Sequence, residues 1–289
     1  MTTKTVSTLI QAVTARFSAV GIEDPAINAR LLIRQAFGLS AVQQLSNLSK
    51  TVPNKQLPLL ESLVARRINR EPLSYITGKT EFFKRQFTVD ERVLIPRSES
   101  EQLVSQAINY VRERGIEHPR IADVCTGSGA IAISIALEMP SAEVFATDIS
   151  SDALNVALMN ARTLRAEVEF TQGNLLDPLQ GKFDVIVSNP PYIQSDAIQS
   201  LEPEVSREPR IALDGGVDGQ RIIVPLLEEI TKMLKASCSA AYVEIDPPIA
   251  DSVLKTAQAK FPYAEVSILT DLAGLIRCIS IENNERNSR

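Results

Sequence analysis

The chain has 289 residues, of which 44% are apolar and 22% charged, values typical of a soluble globular protein with one large domain or two smaller ones. Its net charge of −5 argues against a general polyanion binder, and no apolar run approaches the roughly 18 residues of a membrane-spanning helix. The N-terminus lacks a secretory apolar segment, and the three cysteines form no CxxC or Cys/His cluster. We therefore expect a cytoplasmic protein with neither a disulfide framework nor a metal site.

The first 75 residues are predicted to form a small helical domain. In EDPAINARLLIRQAFG, Asp24 is a candidate N-cap, Pro25 suits the first helical position, and Gly38 follows the last turn. The stretch NKQLPLLESLVARRINR predicts another helix, which ends in basic residues. Residues 1–75 carry nine Lys/Arg against four Asp/Glu, whereas the rest of the chain carries 21 against 31, which indicates two units of opposite charge.

Residues 76–97 differ in character from the helical part. Aromatic and β-branched residues, separated by turn residues, predict two short strands at about 79–83 and 86–89. We interpret this segment as a β-hairpin linker.

From residue 98 onward, strands alternate with helices. Strands are predicted at RIADVC, AEVFATD, VEFTQGN, FDVIVSN, AAYVEID, AEVSIL and LIRCISIE. This alternation predicts an α/β domain with an open, mostly parallel sheet and helices on both faces. The last two strands are close enough to form an antiparallel hairpin.

A loop with two glycines, DVCTGSGA, follows the first of these strands and precedes a helix. Gly127 and Gly129 would let the backbone approach a ligand closely, and the helix N-terminus offers free N–H groups. Asp148 ends the next strand, 19 residues after Gly129, where a carboxylate can accept hydrogen bonds from ribose hydroxyls. Asn174, after the third strand, could contact an adenine edge. We therefore expect a nucleoside-containing ligand, of which a dinucleotide is one candidate.

The strand FDVIVS delivers Asn189, Pro190, Pro191 and Tyr192 to the same carboxyl edge of the sheet. The Asn189 side-chain oxygen and the Pro190 carbonyl could each accept one N–H of a planar NH₂ group, while Tyr192 packs on its flat face. Such a pocket would act by positioning.

Other chemistry has less support. The single histidine, His118, lies in a loop, and the chain contains no G-x-S-x-G, P-loop or HExxH motif, which disfavours hydrolysis and phosphoryl transfer. Methyl transfer from a sulfonium needs no strong base if the acceptor loses its proton after attack.

The tetrad, together with the glycine loop, resembles the S-adenosylmethionine-dependent amino-methyltransferases, a superfamily that includes N6-adenine DNA methyltransferases. Three longer stretches, REPLSYITGKTEFFKRQFTVDERVLIPRSESE, LEPEVSREPRIALDGGVDG and DLAGLIR, resemble the PrmC/HemK family over roughly residues 70–280. Members of that family methylate N5, the side-chain amide nitrogen, of the glutamine in the Gly-Gly-Gln motif of peptide chain release factors.

The resemblance implies a fold and partners. It implies an α/β fold with an N-terminal helical domain for substrate recognition (1–75), a β-hairpin linker (76–97) and a seven-stranded Rossmann-like methyltransferase domain (98–289). S-adenosyl-L-methionine is the implied cofactor and a release factor the implied protein substrate. Neither a membrane nor direct nucleic-acid binding is expected.

The resemblance also implies roles for individual residues. Asn189, Pro190 and Tyr192 would be catalytic, and these three with Pro191 would bind the substrate glutamine. Cofactor binding is implied for Arg97, Cys125, Thr126, Gly127, Ser128, Gly129, Ala130, Asp148, Asn174, Leu175 and Asn189. Residues 126–130 would cradle the methionine part, Asp148 would bind ribose, and Asn174 would lie by the adenine.

Three local patterns depart from the family. PRSESE stands at 96–101 where Pro-Arg-Pro-Glu-Thr-Glu is common, and Asp246 follows Glu244 and Ile245 where glycine is usual. Cys125 replaces a glycine beside the cofactor, so we expect that its backbone does not need a positive φ.

Two alternatives remain at this point. An N6-adenine DNA methyltransferase shares the tetrad but needs a basic, aromatic region to flip a base, and the acidic C-terminal part, in a chain without tryptophan, offers no obvious one. A catalytically silent domain that binds a partner through its basic helices is disfavoured by the intact Gly127, Gly129, Asp148 and Asn189.

Overall fold

The computed structural model describes residues 4–271 and 273–284, which form two compact units. The first unit contains the described residues up to Lys79 together with Pro203–Arg207, and the second contains Thr80–Glu202 and the described residues from Glu208 onward. Leu272, within the stretch DLAGLIR, lies outside the described residues. None of the described helices is long and apolar enough to cross a membrane. The functional division of the chain at residues 75 and 97 stays a prediction.

Helices build the first unit. They are α1 Val6–Ala19, α2 Pro25–Phe37, α3 Ala41–Ser46, α4 Leu57–Ile68 and α5 Leu73–Thr77. Phe17 of α1, Leu32 and Ile33 of α2 and Val64 of α4 are fully buried in one apolar cluster. The N-terminal helical region that the sequence predicts is therefore confirmed.

The start of α2 differs from the predicted cap. Pro25 is the first helical residue and Gly38 ends the helix with φ +62°. Asp24 occupies the N-cap position, but its φ is +45° and its side chain makes no capping hydrogen bond. The Asn28 amide instead donates to the carbonyls of Glu23 and Asp24, so a side chain inside the helix ties down the entering backbone.

Basic residues at the end of α4 hold Pro203–Arg207 in the first unit. Arg67 is only 6% exposed and donates to Glu204 Oε1 and to Asn28 Oδ1, both at 2.8 Å. Arg70 reaches the same Glu204 oxygen at 3.3 Å. Arg67 and Arg70 thus form ion pairs inside the first unit.

Arg67→Met is expected to lower the free energy of unfolding of the first unit by about 2 kcal/mol, because it leaves the Asn28 oxygen without its donor and Glu204 with only the longer contact to Arg70. Urea unfolding followed by circular dichroism measures the loss. Arg16→Met is the matched control: it breaks the pair with Glu61, whose side chains are 41% and 61% exposed, and should change the free energy by less than about 1 kcal/mol. Equally small changes in both variants would contradict this prediction.

The predicted hairpin is present, with its turn one residue earlier than expected. β1 is Lys79–Phe82 and β2 is Arg85–Thr88. Phe83 and Lys84 form the two-residue turn with φ of +46° and +62°, the signs of a type I′ turn. Phe83 was predicted as strand, but its N–H donates to Glu101 Oε1 at 2.9 Å instead.

A seven-stranded sheet with the order β5-β4-β3-β6-β7-β9-β8 forms the centre of the second unit. Its strands are β3 Arg120–Val124, β4 Glu143–Asp148, β5 Glu169–Gln172, β6 Val185–Ser188, β7 Ser239–Glu244, β8 Glu265–Thr270 and β9 Ile276–Asn283. Strands β3 to β7 pair in parallel, whereas β9 runs antiparallel to β7 and β8. The predicted mostly parallel sheet with a C-terminal antiparallel hairpin is confirmed.

Helices cover both faces of this sheet. They are α6 Glu101–Arg114, α7 Ala130–Glu138, α8 Ser151–Leu164, α9 Ile223–Met233 and α10 Ala250–Lys260. Buried residues of α6 and α7 pack on one face together with Phe82 and Phe87 of the hairpin. Buried residues of α9 and α10 pack on the other face.

The strand order reverses at β3, which pairs with β4 on one side and β6 on the other. Val124 and Ser188 are Cα partners in neighbouring strands, so the chain leaves β3 and β6 at the same level. Ligands of open α/β sheets bind at the carboxyl edge near such a reversal. The topology therefore places the glycine loop and the tetrad side by side.

Candidate active site

The Asp148 carboxylate at the end of β4 holds the glycine loop. The Gly127 N–H donates to Asp148 Oδ2 at 2.8 Å, and the Ser150 N–H donates to Asp148 Oδ1 at 2.9 Å. Burial raises the pKa of Asp148 above its ordinary value. Each carboxylate oxygen keeps a lone pair for a further donor, so this side chain can shape the loop and still accept from a ligand hydroxyl.

Two positions of the loop require glycine for different reasons. Gly127 has φ +56°, and a Cβ there would meet nothing within 4 Å, so its backbone faces open space. Gly129 has φ +79°, and a Cβ there would lie 3.0 Å from atoms of Ala157 and Ile133. Gly127 thus permits close approach of a ligand, and Gly129 permits close packing of the chain on α8.

Cys125 contradicts the expectation that this position avoids a positive φ. Its φ is +61°, in the left-handed region, where glycine has no steric cost. The chain must turn at once after β3, because the next N–H, that of Thr126, donates to the Thr147 carbonyl at 2.9 Å. Burial raises the pKa of the Cys125 thiol, and the negative charge of Asp148 adds to the rise.

Two adjoining cavities lie beside the loop and share Leu94, Cys125, Gly127 and Asn189 in their walls. The first extends to residues at the end of β4 and the start of α8, namely Asp148, Ile149, Ser150 and Ala153. The second extends along the loop to Thr126, Ser128, Ala130 and Ile131, and to Phe82 and Ser100. The structure therefore brings most of the predicted loop residues, Asp148 and Asn189 around one space.

The residues around this space fit S-adenosylmethionine. Asp148 offers acceptors for ribose hydroxyls, and Leu94 and Ile149 offer apolar contact for a flat base. Ala130 and Ile131, at the start of α7, line the second cavity, and a helix N-terminus suits a carboxylate.

The tetrad is held by residues from distant parts of the chain. Asn189 Nδ2 donates to Ser100 Oγ at 2.9 Å, and the Tyr192 hydroxyl donates to Glu244 Oε1 at 3.0 Å. Ser100 Oγ donates in turn to Glu244 Oε2 at 2.6 Å. Burial, with the adjacent Glu244 carboxylate, raises the pKa of Tyr192 well above its ordinary value, so the ring carries a neutral hydroxyl.

A second glycine-rich loop, LDGGVDG, packs on the backbone of the tetrad. The Ile193 N–H donates to the Leu213 carbonyl at 2.9 Å, and the Gly215 N–H donates to the Ile193 carbonyl at 2.8 Å. A Cβ at Gly215 would lie 2.7 Å from Tyr192 Cα, and one at Gly219 would lie 2.6 Å from the Tyr192 carbonyl oxygen. This loop can support the tetrad only because it lacks side chains at those points.

Three predicted cofactor residues are placed differently. Of the described residues, neither Asn174 nor Leu175 lines either of these two cavities, and Asn174 is exposed, with its carbonyl accepting from the Asp177 N–H. Arg97 donates to the buried Glu208 at 2.5 Å, and Glu208 also accepts from the Ile95 N–H at 2.9 Å. Their assignment to the cofactor stays a prediction.

Three residues around the site were not predicted. Ser100 and Glu244 orient the tetrad, and Glu208 joins the chain at Ile95 and Arg97 to the segment whose Pro209 lines the first cavity. Glu244 ends a strand at the carboxyl edge of the sheet, a position from which the sequence could have predicted a site residue. Ser100 and Glu208 lie within the stretches that resemble the family, but neither residue type indicates a site by itself, because serine and glutamate are frequent in exposed loops.

Comparison with known proteins identifies the family. Residues 8–78 match the PrmC N-terminal domain, and residues 103–214 match the Methyltransferase small domain. The chain is 35% identical over 272 residues to a release factor glutamine methyltransferase of Deinococcus radiodurans, covering 94% of this chain and 96% of the relative. The chain belongs to the release factor glutamine methyltransferase family. Another member, from Moorella thermoacetica, is 39% identical and covers 91% of this chain and 93% of its own length.

A solved structure agrees on the fold. The T. thermophilus 16S rRNA methyltransferase in complex with AdoMet and guanosine has a TM-score of 0.51 at 14% identity, with 71% of this chain and 50% of that chain covered. The resemblance to the PrmC/HemK family that the motifs indicated is confirmed, and with it the prediction of a methyltransferase rather than a silent binding domain.

Proposed function

We propose that this protein transfers a methyl group from S-adenosyl-L-methionine to N5 of the glutamine in the Gly-Gly-Gln motif of peptide chain release factors. The observation that carries the proposal is the placement of Asn189 and Gly127 in the walls of the same two cavities. Family membership supports the substrate, because the relatives are release factor glutamine methyltransferases. It also favours glutamine over the adenine of the DNA methyltransferase alternative.

The tetrad binds the acceptor amide. Asn189 Oδ1 accepts one amide N–H, since Asn189 Nδ2 is engaged by Ser100. The Pro190 carbonyl accepts the other N–H, Pro191 keeps the turn rigid, and the Tyr192 ring packs on the flat amide. Both amide hydrogens are then fixed, so the nitrogen meets the methyl donor in one orientation and releases a proton after attack.

The glycine loop binds the methyl donor. S-adenosyl-L-methionine, when bound, supplies a methyl group on a positively charged sulfur. The backbone of residues 125–130 encloses its methionine part, and Asp148 accepts from its ribose hydroxyls. Asn174 and Leu175 contribute to the adenine end, and Arg97 shapes the pocket through Glu208.

The proposed organisation assigns recognition of the release factor to residues 1–75, a connecting role to the hairpin at 76–97, and methyl transfer to residues 98–289. The protein would act in the cytoplasm, without direct contact to nucleic acid.

The direct test incubates the protein with a purified release factor and S-adenosylmethionine labelled in its methyl group. Label is expected on the native factor, and mass spectrometry should locate it on the motif glutamine. A factor with that glutamine replaced by alanine is the control. Label on the control factor would overturn the assignment of the acceptor.

Gly215→Ala is expected to lower kcat for methyl transfer at least about tenfold, because its Cβ would lie 2.7 Å from Tyr192 Cα and must displace the tetrad. Gly115→Ala is the matched control. Gly115 has φ +62° but a Cβ there would meet nothing within 4 Å, so this variant should lose stability and keep its kcat. Steady-state kinetics and thermal unfolding separate the two outcomes, and an unchanged kcat in Gly215→Ala would contradict the supporting role of the loop.

A further inference from the structure

Glu244 is a buried carboxylate that accepts hydrogen bonds from two hydroxyl groups. Its side chain lies at the end of β7 and the residue is 4% exposed. Ser100 Oγ lies 2.6 Å from one carboxylate oxygen and the Tyr192 hydroxyl lies 3.0 Å from the other. In the part of the chain that the structure describes, no cation hydrogen-bonds to it. Burial raises the pKa of Glu244, and the Ser100 and Tyr192 hydroxyls oppose the rise.

The direction of each hydrogen bond follows from the carboxylate. Ser100 Oγ lies 2.6 Å from Glu244 Oε2, a separation typical of a hydroxyl that donates to an ionised carboxylate, and an ionised carboxylate only accepts. Ser100 has one hydroxyl proton, and it is given to Glu244. Its oxygen can then only accept from Asn189, so the Asn189 atom 2.9 Å away must be the NH₂ group.

This chain of donors settles the orientation of the Asn189 amide. The oxygen and nitrogen of an asparagine side chain are nearly equal in shape, so packing alone does not select one orientation. With the NH₂ group turned to Ser100, the oxygen is the atom left for the acceptor pocket. The reverse orientation would present NH₂ to the NH₂ of the substrate, which places two donors against each other.

We infer that Glu244, acting through Ser100, is the positioning residue that turns the Asn189 oxygen toward the substrate and thereby commits the site to acceptors bearing an NH₂ group. The inference rests on the proposed function and assigns the selectivity of that site. Tyr192 is positioned by the same carboxylate, so one buried group orients both polar side chains of the tetrad.

Glu244→Gln and Ser100→Ala test the inference. Glutamine can offer Ser100 either an acceptor or a donor, and alanine removes the link, so both variants leave Asn189 free to turn. We expect kcat to fall about 10- to 100-fold, the effect of losing one charge-assisted hydrogen bond, while the Kd for S-adenosylmethionine by calorimetry changes less than about threefold. Ser100→Thr keeps the hydroxyl and should restore most of the kcat.

Acceptor selectivity gives a readout that a merely structural role would not move. A release factor with glutamate in place of the motif glutamine presents only acceptor atoms, so the native site should bind it poorly. If Asn189 turns freely, it can offer its NH₂ group to the glutamate. In Glu244→Gln and Ser100→Ala, the inhibition constant of the glutamate factor divided by the KM of the native factor should therefore decrease about tenfold.

Asp184→Asn is the matched control. Asp184 is another buried carboxylate, immediately before β6, where it accepts from the Arg120 N–H and from Lys235. This variant should lose stability but keep kcat and the selectivity ratio.

The outcomes are distinguishable. No methyl transfer by the native protein defeats the proposed function itself. Native transfer with unchanged kcat and selectivity in Ser100→Ala overturns only the role of Glu244. If Glu244→Gln does not fold, Ser100→Ala decides, because it leaves the carboxylate and its Tyr192 donor in place.

Discussion

Asn189→Ala is expected to reduce kcat for methyl transfer about 100-fold or more while the fold and the binding of S-adenosylmethionine persist. In the proposed function the Asn189 side chain supplies one of the two acceptors that fix the substrate amide, and misplacing a reacting group by about 1 Å lowers the rate by about 100-fold. Cofactor binding should persist because the substitution leaves Asp148, the proposed ribose partner, in place. Single-turnover methyl transfer measures the loss, and calorimetry measures cofactor binding.

Asn155→Ala is the control for this substitution. Asn155 lies on the exposed face of α8, so Asn155→Ala makes the same asparagine-to-alanine change at a position outside the tetrad. It should keep the native rate. Native kcat in Asn189→Ala would end the proposed role of the tetrad.

Asp148→Ala is expected to weaken the binding of S-adenosylmethionine about 100-fold, the sum of two lost charge-assisted hydrogen bonds of about 1.5 kcal/mol each. In the proposed function this carboxylate accepts from the ribose hydroxyls, and in the structure it holds the loop through the Gly127 N–H. Calorimetry measures the Kd. Asp152→Ala removes an exposed carboxylate from the first turn of α8 and should leave the Kd unchanged. Equal affinities in the two variants would refute the assignment of Asp148.

The affinity should also depend on pH. Burial raises the pKa of Asp148, so on acidification this carboxylate is protonated before ordinary surface carboxylates are. Cofactor affinity is therefore expected to fall as the pH drops through the raised pKa and to recover above it. Asp148→Asn should remove this dependence.

Local sequence signals predicted the parts of the fold that local chemistry determines. The alternation of apolar strands and helices predicts the sheet, and Gly127 and Gly129 mark the turn between β3 and α7. Helix α6 was not predicted, although its buried Leu103, Ala107 and Val111 recur at helical spacing.

The contacts that orient the site had no local signal. Asn189 and Ser100 are separated by 89 residues, and Ser100 and Glu244 by 144 residues, so only the folded sheet brings them together. At Cys125 the residue type predicts a negative φ, but the turn after β3 imposes a φ of +61°. Tertiary contacts overrode the local preference of that residue.

The environment of Cys125 also determines how fast this thiol reacts with alkylating agents and oxidants. Alkylating agents and peroxides attack the thiolate form of cysteine, and burial keeps this sulfur protonated by raising the pKa of the thiol. A cysteine that lines a cavity would ordinarily be susceptible to oxidation. Here it is expected to react slowly, so covalent inhibitors aimed at this pocket would need a different anchor.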